Sequence, residues 1–187
     1  MDSLTALWAP ILLSAVFVFV VSSIMHMVLK YHANDFKKVP DQDAVQAALR
    51  PFGIPPGDYM LPRADSMQGM KSPEYIEKLT KGPVAVVTVL KNGPLNMGAS
   101  LVQWFFYGVI VSIFSAYIAW HAVPPGGSYL SVFRFVGTAA FMGYSLALLQ
   151  NAIWYGRSCS TVLKTVFDGL IYALVTAGVF GWLWPRM

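Results

Sequence analysis

Four long apolar runs alternate with more polar segments along the chain. They cover residues 4–29, 100–120, 129–154 and 162–184, and the first two contain no Asp, Glu, Lys or Arg. Each run is long enough to cross the hydrocarbon layer of a bilayer, which takes about 20 residues of helix. The pattern therefore predicts an all-α membrane protein with four transmembrane helices.

The segment between the first two runs, residues 31–98, has a different pattern. Asp41 and Ser72 can each cap a short helix, because their side chains accept hydrogen bonds from free backbone N–H groups. A β-branched run at 84–90 predicts a strand, and residues 58–62 are its candidate partner. We expect a small α+β insert that lies against the membrane, since its apolar content is too low for an independent core.

The composition supports a membrane location and excludes several other classes. The 187 residues are 56% hydrophobic and 12% charged, whereas a soluble protein has about 25% charged residues. The net charge of +4 comes without a long basic run, so nucleic acid is not an expected partner. The single cysteine, Cys159, leaves no intrachain disulfide framework and no zinc site built from several cysteines.

Basic residues indicate how the four helices are oriented. Arg134 and Arg186 lie near one set of helix ends, and the other set has many more basic neighbours: Lys30, Lys37, Lys38, Lys81, Lys91, Arg157 and Lys164. Basic residues near helix ends are retained in the cytoplasm. We therefore expect the insert to be cytoplasmic and both termini to lie outside.

Small residues recur on two of the predicted helices. The fourth helix carries Gly169, Ala173, Ala177 and Gly181 at intervals of four, and the third carries Ala139, Gly143 and Ala147. This spacing places each set on one helix face, where small side chains let two backbones approach closely. The stripes predict either packing between helices three and four or docking of another subunit.

Asp168 lies about six residues inside the fourth helix, where an unpaired charge is costly. Candidate partners are Lys164, one turn away, His26 at the end of the first helix, and Asn151 in the third. One hypothesis is a proton or cation relay formed by Asp168 and His26, and the other is a local ion pair with Lys164 or a protonated carboxyl group. Arg134, near the opposite face, can reach headgroups or hold an anion.

Methionine and histidine raise the question of copper, because thioether and imidazole ligands suit Cu(I). The candidates are Met25, His26, Met67 and Met70. Neighbouring residues on a helix point to different sides, so Met25 and His26 cannot close on one ion alone. We expect no cofactor, with copper as the alternative.

Sequence motifs for familiar enzymes are absent. The chain has no Gly-x-Ser-x-Gly motif, no phosphate-binding loop and no His-Glu-x-x-His pattern. We therefore expect a protein that is not an enzyme, and no catalytic residue is assigned.

Three stretches carry a family resemblance. They are Phe167-Asp168-Gly169-Leu170-Ile171-Tyr172-Ala173-Leu174, Gly181-Trp182-Leu183-Trp184-Pro185 and Met70-Lys71-Ser72-Pro73-Glu74. With them, the chain resembles a family of small bacterial inner-membrane proteins to which no activity is assigned. The resemblance implies a location in the bacterial inner membrane and supplies no site residue.

These observations lead to two main functional hypotheses. The first is a non-catalytic accessory or assembly subunit of a larger membrane complex, with a protein partner or a second copy of the chain in the membrane. The alternative is a protein that handles protons, cations or copper through His26 and Asp168. A membrane enzyme acting on a lipid or quinone is a third hypothesis, which lacks a visible nucleophile.

Overall fold

The computed structural model describes residues 4–185. Within this range, four helical segments are long and apolar enough to cross a membrane, namely Thr5–Met27, Met97–Ala122, Tyr129–Tyr155 and Cys159–Leu183. The predicted fold class of four spanning helices with a small α+β insert is thereby confirmed. The helices and strands are α1 (Trp8–Met27), α2 (Gln42–Leu49), β1 (Gly57–Leu61), α3 (Pro73–Lys81), β2 (Ala85–Val89), α4 (Met97–Ala122), α5 (Tyr129–Tyr144), α6 (Gln150–Tyr155) and α7 (Cys159–Leu183).

The insert, residues 37–95, is a compact unit of its own. The side chain of Asp41 accepts a hydrogen bond from Ala44 N and caps α2, and Ser72 accepts from Tyr75 N and caps α3. Strands β1 and β2 pair antiparallel. None of the residues in this unit is buried, which agrees with the expectation that it has no core of its own.

The third span differs from the continuous helix predicted over 129–154. Helix α5 ends at Tyr144, a 3-10 turn covers Leu146–Leu149, and α6 then completes the span. The break lies at Ser145, whose backbone has φ −130° and ψ −49°. Its hydroxyl donates a hydrogen bond to the carbonyl of Val166 on α7 at 3.2 Å. A tertiary contact therefore accompanies the break, and sequence hydropathy contains no sign of it.

The spanning helices pack around two apolar clusters. We call the end of the bundle where α1 ends and α4 begins the insert end, and the opposite end, at Pro124–Gly127, the hairpin end. The hairpin-end cluster consists of Leu7, Ile11, Ala116, Ala119, Val123, Val132, Val136, Ala177, Phe180 and Trp184. The insert-end cluster consists of Val18, Met25, Val111, Ala140, Tyr144, Tyr172 and Ala173. Spans α1, α4, α5 and α7 contribute to both clusters, so each contacts a shared core.

Small residues on α7 allow close contacts with the third span. A Cβ atom added at Gly169 would lie 1.9 Å from Ser145 Oγ, and one at Gly181 would lie 2.6 Å from a ring carbon of Tyr129. Ala173 and Ala177 are buried. This side of α7 therefore faces other helices of the same chain.

The small residues on α5 are placed differently. A Cβ atom added at Gly143 would lie 3.1 Å from Val111 on α4, so Gly143 faces the second span. Ala139 is half-buried, and Ala147, in the 3-10 turn, is exposed. The buried face of α5 consists of Val132, Val136, Ala140 and Tyr144.

Candidate metal site

Two histidines and one carboxylate meet at the insert end of the bundle. His26 lies in the last turn of α1, His32 in the loop that follows, and Asp168 in α7. The loop turns at Lys30, which has a left-handed backbone with φ 52°. Backbone hydrogen bonds from Ala33 N to Lys30 O and from Asp35 N to His32 O then close two turns. This reversal brings His32 against α7.

Asp168 is the centre of the site. Its side chain is only 2% exposed, so its charge needs partners. The hydroxyl of Tyr31 donates a hydrogen bond to Oδ1. On Oδ2, His32 Nε2 lies at 2.7 Å and His26 Nε2 at 3.8 Å. Two imidazoles therefore converge on one carboxylate oxygen.

The second nitrogen of each imidazole is held by an acceptor. His32 Nδ1 lies 2.5 Å from Asp35 Oδ2, and His26 Nδ1 lies 3.0 Å from the carbonyl oxygen of Ser22. A carbonyl only accepts, so this contact places a proton on Nδ1 of His26. His32 lies between two carboxylates, so either of its ring nitrogens can carry the proton. The two rings are parallel, with centroids 4.6 Å apart, and both present Nε2 to Asp168.

Lys164 contacts the loop residues that surround the site. Its ammonium group donates to Asp35 Oδ1 and to the carbonyl of Tyr31, each at 2.8 Å. The hydrogen bonds from Lys164 and His32 hold the pKa of Asp35 below its ordinary value. Burial and the neighbouring Asp168 raise the pKa of Tyr31, which stays a neutral donor. Among the described residues, the ring nitrogens near the Asp168 carboxylate belong to His26 and His32, and Lys164 pairs with Asp35 instead.

The group offers three donor atoms, one from each of His26, His32 and Asp168, and their spacing fits a metal site. They all lie within 4.8 Å of one another. Donors around a tetrahedral zinc ion are about 3.3 Å apart, and a site with three protein ligands keeps one position open. The separations of 2.7 Å and 3.8 Å on Asp168 Oδ2 lie on either side of that value. Side-chain adjustments of about 1 Å would place an ion between these groups.

The site is open on one side. The side chain of His26 is 49% exposed and that of His32 is 15% exposed. A groove of about 720 Å³ adjoins the loop and α7, with Tyr31, Lys164 and Phe167 in its wall. His26 and His32 are therefore the partly exposed members of the group, whereas Asp168 is buried behind them.

The other residues singled out from the sequence lie elsewhere. Arg134 is exposed on α5, and Asn151 is half-buried in α6. Met25 is buried in the insert-end cluster. Met67 and Met70 are exposed residues of the insert unit. None of these five residues belongs to the His26, His32 and Asp168 group that the described residues form.

Tyr31, His32 and Asp35 were not predicted from the sequence as partners of Asp168 or His26, although His32 follows the Met25-His26-Met27 group that raised the question of copper. Their signal is a run of proton-bearing side chains, Tyr31-His32 followed by Asp35, directly after an apolar helix. Charged and aromatic side chains are common at a membrane boundary, so this signal alone does not assign the three residues to Asp168.

The spanning helices define the general class of the molecule, an integral membrane protein with several spans. Comparisons of the chain with family models, with curated proteins and with solved structures found no match. The functional argument therefore depends on the geometry of the site.

Proposed function

We propose that this integral membrane protein binds a divalent transition-metal ion through His26 Nε2, His32 Nε2 and a carboxylate oxygen of Asp168. One observation carries the proposal: both imidazoles direct Nε2 at the same oxygen while their Nδ1 atoms are held by Asp35 and by the Ser22 carbonyl. Histidines that bind metals usually donate their second N–H to a carboxylate or carbonyl, which fixes the tautomer and the ring orientation.

The charges around the site favour a cation. Two carboxylates, Asp35 and Asp168, face one ammonium group, Lys164, so with neutral imidazoles the formal sum is −1. Burial strengthens electrostatic attraction, because the effective dielectric constant is lower than in water. A divalent ion would reverse the sign of this charge and relieve the repulsion between the two carboxylates.

The donor atoms favour a divalent ion over Cu(I). Imidazole and carboxylate ligands suit zinc, iron, nickel and Cu(II), whereas Cu(I) prefers sulfur. The group of His26, His32 and Asp168 offers only nitrogen and oxygen donors, and Met25, next to His26 in sequence, packs in the insert-end cluster. This narrows the hypothesis of a cation-handling or copper-handling protein to a nitrogen and oxygen site.

Metal analysis of the purified protein tests the proposal. In a Cys159→Ser background, chelator-treated protein in detergent is equilibrated with Zn²⁺, dialysed and analysed for bound zinc. We expect equimolar zinc, which Asp168→Asn and the double variant His26→Ala/His32→Ala lose. The control is His121→Ala, because His121 is exposed and has the same Nδ1 contact with a helix carbonyl, Tyr117 O at 2.8 Å.

Two results decide the outcome. Equimolar zinc in the double variant would refute the site. Loss of zinc counts in its favour only where circular dichroism shows unchanged helicity. Loss of zinc in His121→Ala as well would show non-specific binding by surface histidines and would also refute it.

The accessory or assembly role stays a prediction. The stripe that suggested it is largely occupied by the chain itself, since Gly169 and Gly181 face the third span and Gly143 faces the second. Copurification of a stoichiometric partner from native membranes would support this role. It would not exclude a metal site, because the two properties concern different surfaces.

We further propose a bacterial inner-membrane location with the insert end in the cytoplasm and both termini outside. The support is the family resemblance together with the distribution of basic residues, with Lys30, Arg157 and Lys164 near the insert end. Single cysteines placed at Gly126 and Gln68 in the Cys159→Ser background test the orientation. Labelling of the Gln68 position by an impermeant reagent in intact cells would contradict it.

A further inference from the structure

An apolar stripe runs along the exposed side of α7, beside the groove at the insert end. We call it the outer stripe, and it consists of Leu163, Phe167, Leu170 and Leu174, all of which are exposed. Intervals of three or four residues place these side chains on one helix face. The outer stripe is about 16 Å long, because a helix rises 1.5 Å per residue, and one leaflet of the hydrocarbon layer is about 15 Å thick. Its length therefore matches one acyl chain.

The groove beside the outer stripe adds polar groups near the beginning of α7. Its volume of about 720 Å³ falls within the range of about 300–1,000 Å³ that small-molecule sites occupy. Its wall consists of Leu29, Tyr31, Ser160, Leu163, Lys164 and Phe167. Ser160 lies in the first turn of α7, and the Lys164 ammonium group contacts the loop after α1. The groove is therefore polar at the insert end and apolar towards the outer stripe, which is the polarity of a lipid.

Two basic side chains at this end can bind an anionic group. The ammonium group of Lys164 has three N–H donors, and the carbonyl of Tyr31 and Asp35 Oδ1 accept one each. The side chain is 30% exposed, so the third donor can contact a ligand. Arg157 is exposed, and its guanidinium carbon lies 5.4 Å from the ring centroid of Phe36. Such stacking leaves the guanidinium edge free for the paired hydrogen bonds with which arginine binds phosphate.

The charges at the insert end favour an anion in the groove. In the described part of the bundle, the charged residues at this end are Lys30, Asp35, Arg157, Lys164 and Asp168. Asp168 is buried, and Asp35 already pairs with Lys164. The surface therefore retains the positive charges of Lys30 and Arg157, and basic groups next to a membrane span attract anionic headgroups.

We propose that the groove and the outer stripe form a binding site for one anionic glycerophospholipid. Its phosphate contacts Arg157 and the third donor of Lys164, and one acyl chain lies against Phe167 and the rest of the outer stripe. Acyl chains pack against other apolar helix faces equally well, so the specificity comes from the headgroup. The lipid site lies on the outer surface of α7 and requires no metal ion, so it does not depend on the proposed metal site.

Native mass spectrometry of chelator-treated protein in detergent measures the affinity of the first bound lipid. Phosphatidylglycerol, which carries one negative charge, is compared with zwitterionic phosphatidylcholine that has the same acyl chains. One or two basic groups near a membrane surface favour an anionic lipid by a factor of about 5–25. We therefore expect phosphatidylglycerol to bind more tightly by a factor in this range.

Arg157→Gln tests the headgroup contact. It should lower the preference for phosphatidylglycerol about fivefold, while the affinity for phosphatidylcholine stays unchanged. The matched control is Arg134→Gln, which removes an exposed basic residue from α5 and should keep the preference.

Phe167→Ala tests the acyl-chain contact. It should weaken the binding of both lipids by the same factor, because the two lipids present the same chains. The control is Phe114→Ala, because Phe114 is a similarly exposed phenylalanine on α4 that does not line the groove. It should leave both affinities unchanged.

Three results of these comparisons would overturn the proposal. They are equal affinity for the two lipids, a preference that Arg157→Gln lowers no more than Arg134→Gln, and binding that Phe167→Ala weakens no more than Phe114→Ala. A competition experiment adds a fourth. Displacement of phosphatidylglycerol by an equal concentration of glycerophosphoglycerol, its soluble headgroup, would show a site for the phosphate alone and would also overturn the proposal.

Discussion

Replacing Gly169 by alanine tests how closely α7 approaches the break in the third span. The new Cβ atom would lie 1.9 Å from Ser145 Oγ, 3.1 Å from Tyr144 Cβ and 3.2 Å from Ser145 Cβ. Rotation of the Ser145 hydroxyl can relieve the first contact. It cannot relieve the other two, because Cβ atoms move only with the backbone. The hydrogen bond from Ser145 to Val166 O would also be lost.

The expected loss of stability follows from three contributions. Losing the hydrogen bond costs about 1 kcal/mol, and overpacking against the two Cβ atoms costs about 1–3 kcal/mol. The higher helix propensity of alanine offsets about 1 kcal/mol of this loss of stability. The net destabilisation is therefore about 1–3 kcal/mol. For a chain of this size, each kcal/mol lowers the melting temperature by about 2–4 °C.

Thermal unfolding in detergent, followed by circular dichroism, measures the effect. Gly178→Ala is the control in the same helix, because its Cβ would make only an ordinary contact at 3.7 Å. Adding Ser145→Ala to Gly169→Ala should restore part of the loss, because it removes the buried hydroxyl that has lost its acceptor, Val166 O. If Gly169→Ala melts at or above the temperature of Gly178→Ala, the close approach described for α7 is wrong.

Three further predictions concern other parts of the chain. Asp35→Asn should weaken zinc binding about 10–100-fold with unchanged stoichiometry at saturation, as measured by calorimetry, because Asp35 orients a ligand without contacting the ion; unchanged affinity would contradict this role. A double-mutant cycle of Ser14→Ala and Ser112→Ala should show a coupling of about 0.6 kcal/mol for their buried hydroxyl pair at 2.9 Å, and strictly additive losses would contradict it. Ser72→Ala should speed amide hydrogen exchange in α3 several-fold by removing its N-cap, whereas unchanged exchange would show that the cap is unimportant.

The spans and the insert could be predicted because their determinants are local. Hydropathy over about 20 residues identifies a spanning helix without knowledge of its neighbours. The caps at Asp41 and Ser72 and the β-branched run at 84–90 likewise depend on short stretches of sequence. The break at Ser145 was missed because it accompanies a contact with Val166, which is distant in sequence.

The candidate site could be predicted only in part. Asp168 and His26 stood out because each is polar within an apolar helix. The positions of Tyr31, His32 and Asp35 around them depend on the chain reversal at Lys30. Lysine seldom adopts a left-handed backbone. That reversal carries Asp35 to Lys164, so the ammonium group one turn from Asp168 is engaged elsewhere. Helical spacing alone could not reveal that Asp35 takes Lys164 from Asp168.

The order in which the ribosome makes the site's components has a consequence for biogenesis. His26 and His32 leave the ribosome with the first span, whereas Asp168 and Lys164 belong to the span made after the other three. During translation, the loop that carries Tyr31 and His32 lacks its contacts with Asp168 and Lys164 until α7 enters the bilayer. A chain interrupted before residue 159 would keep this loop without those contacts, so closure of the bundle and ordering of its first connection are completed together.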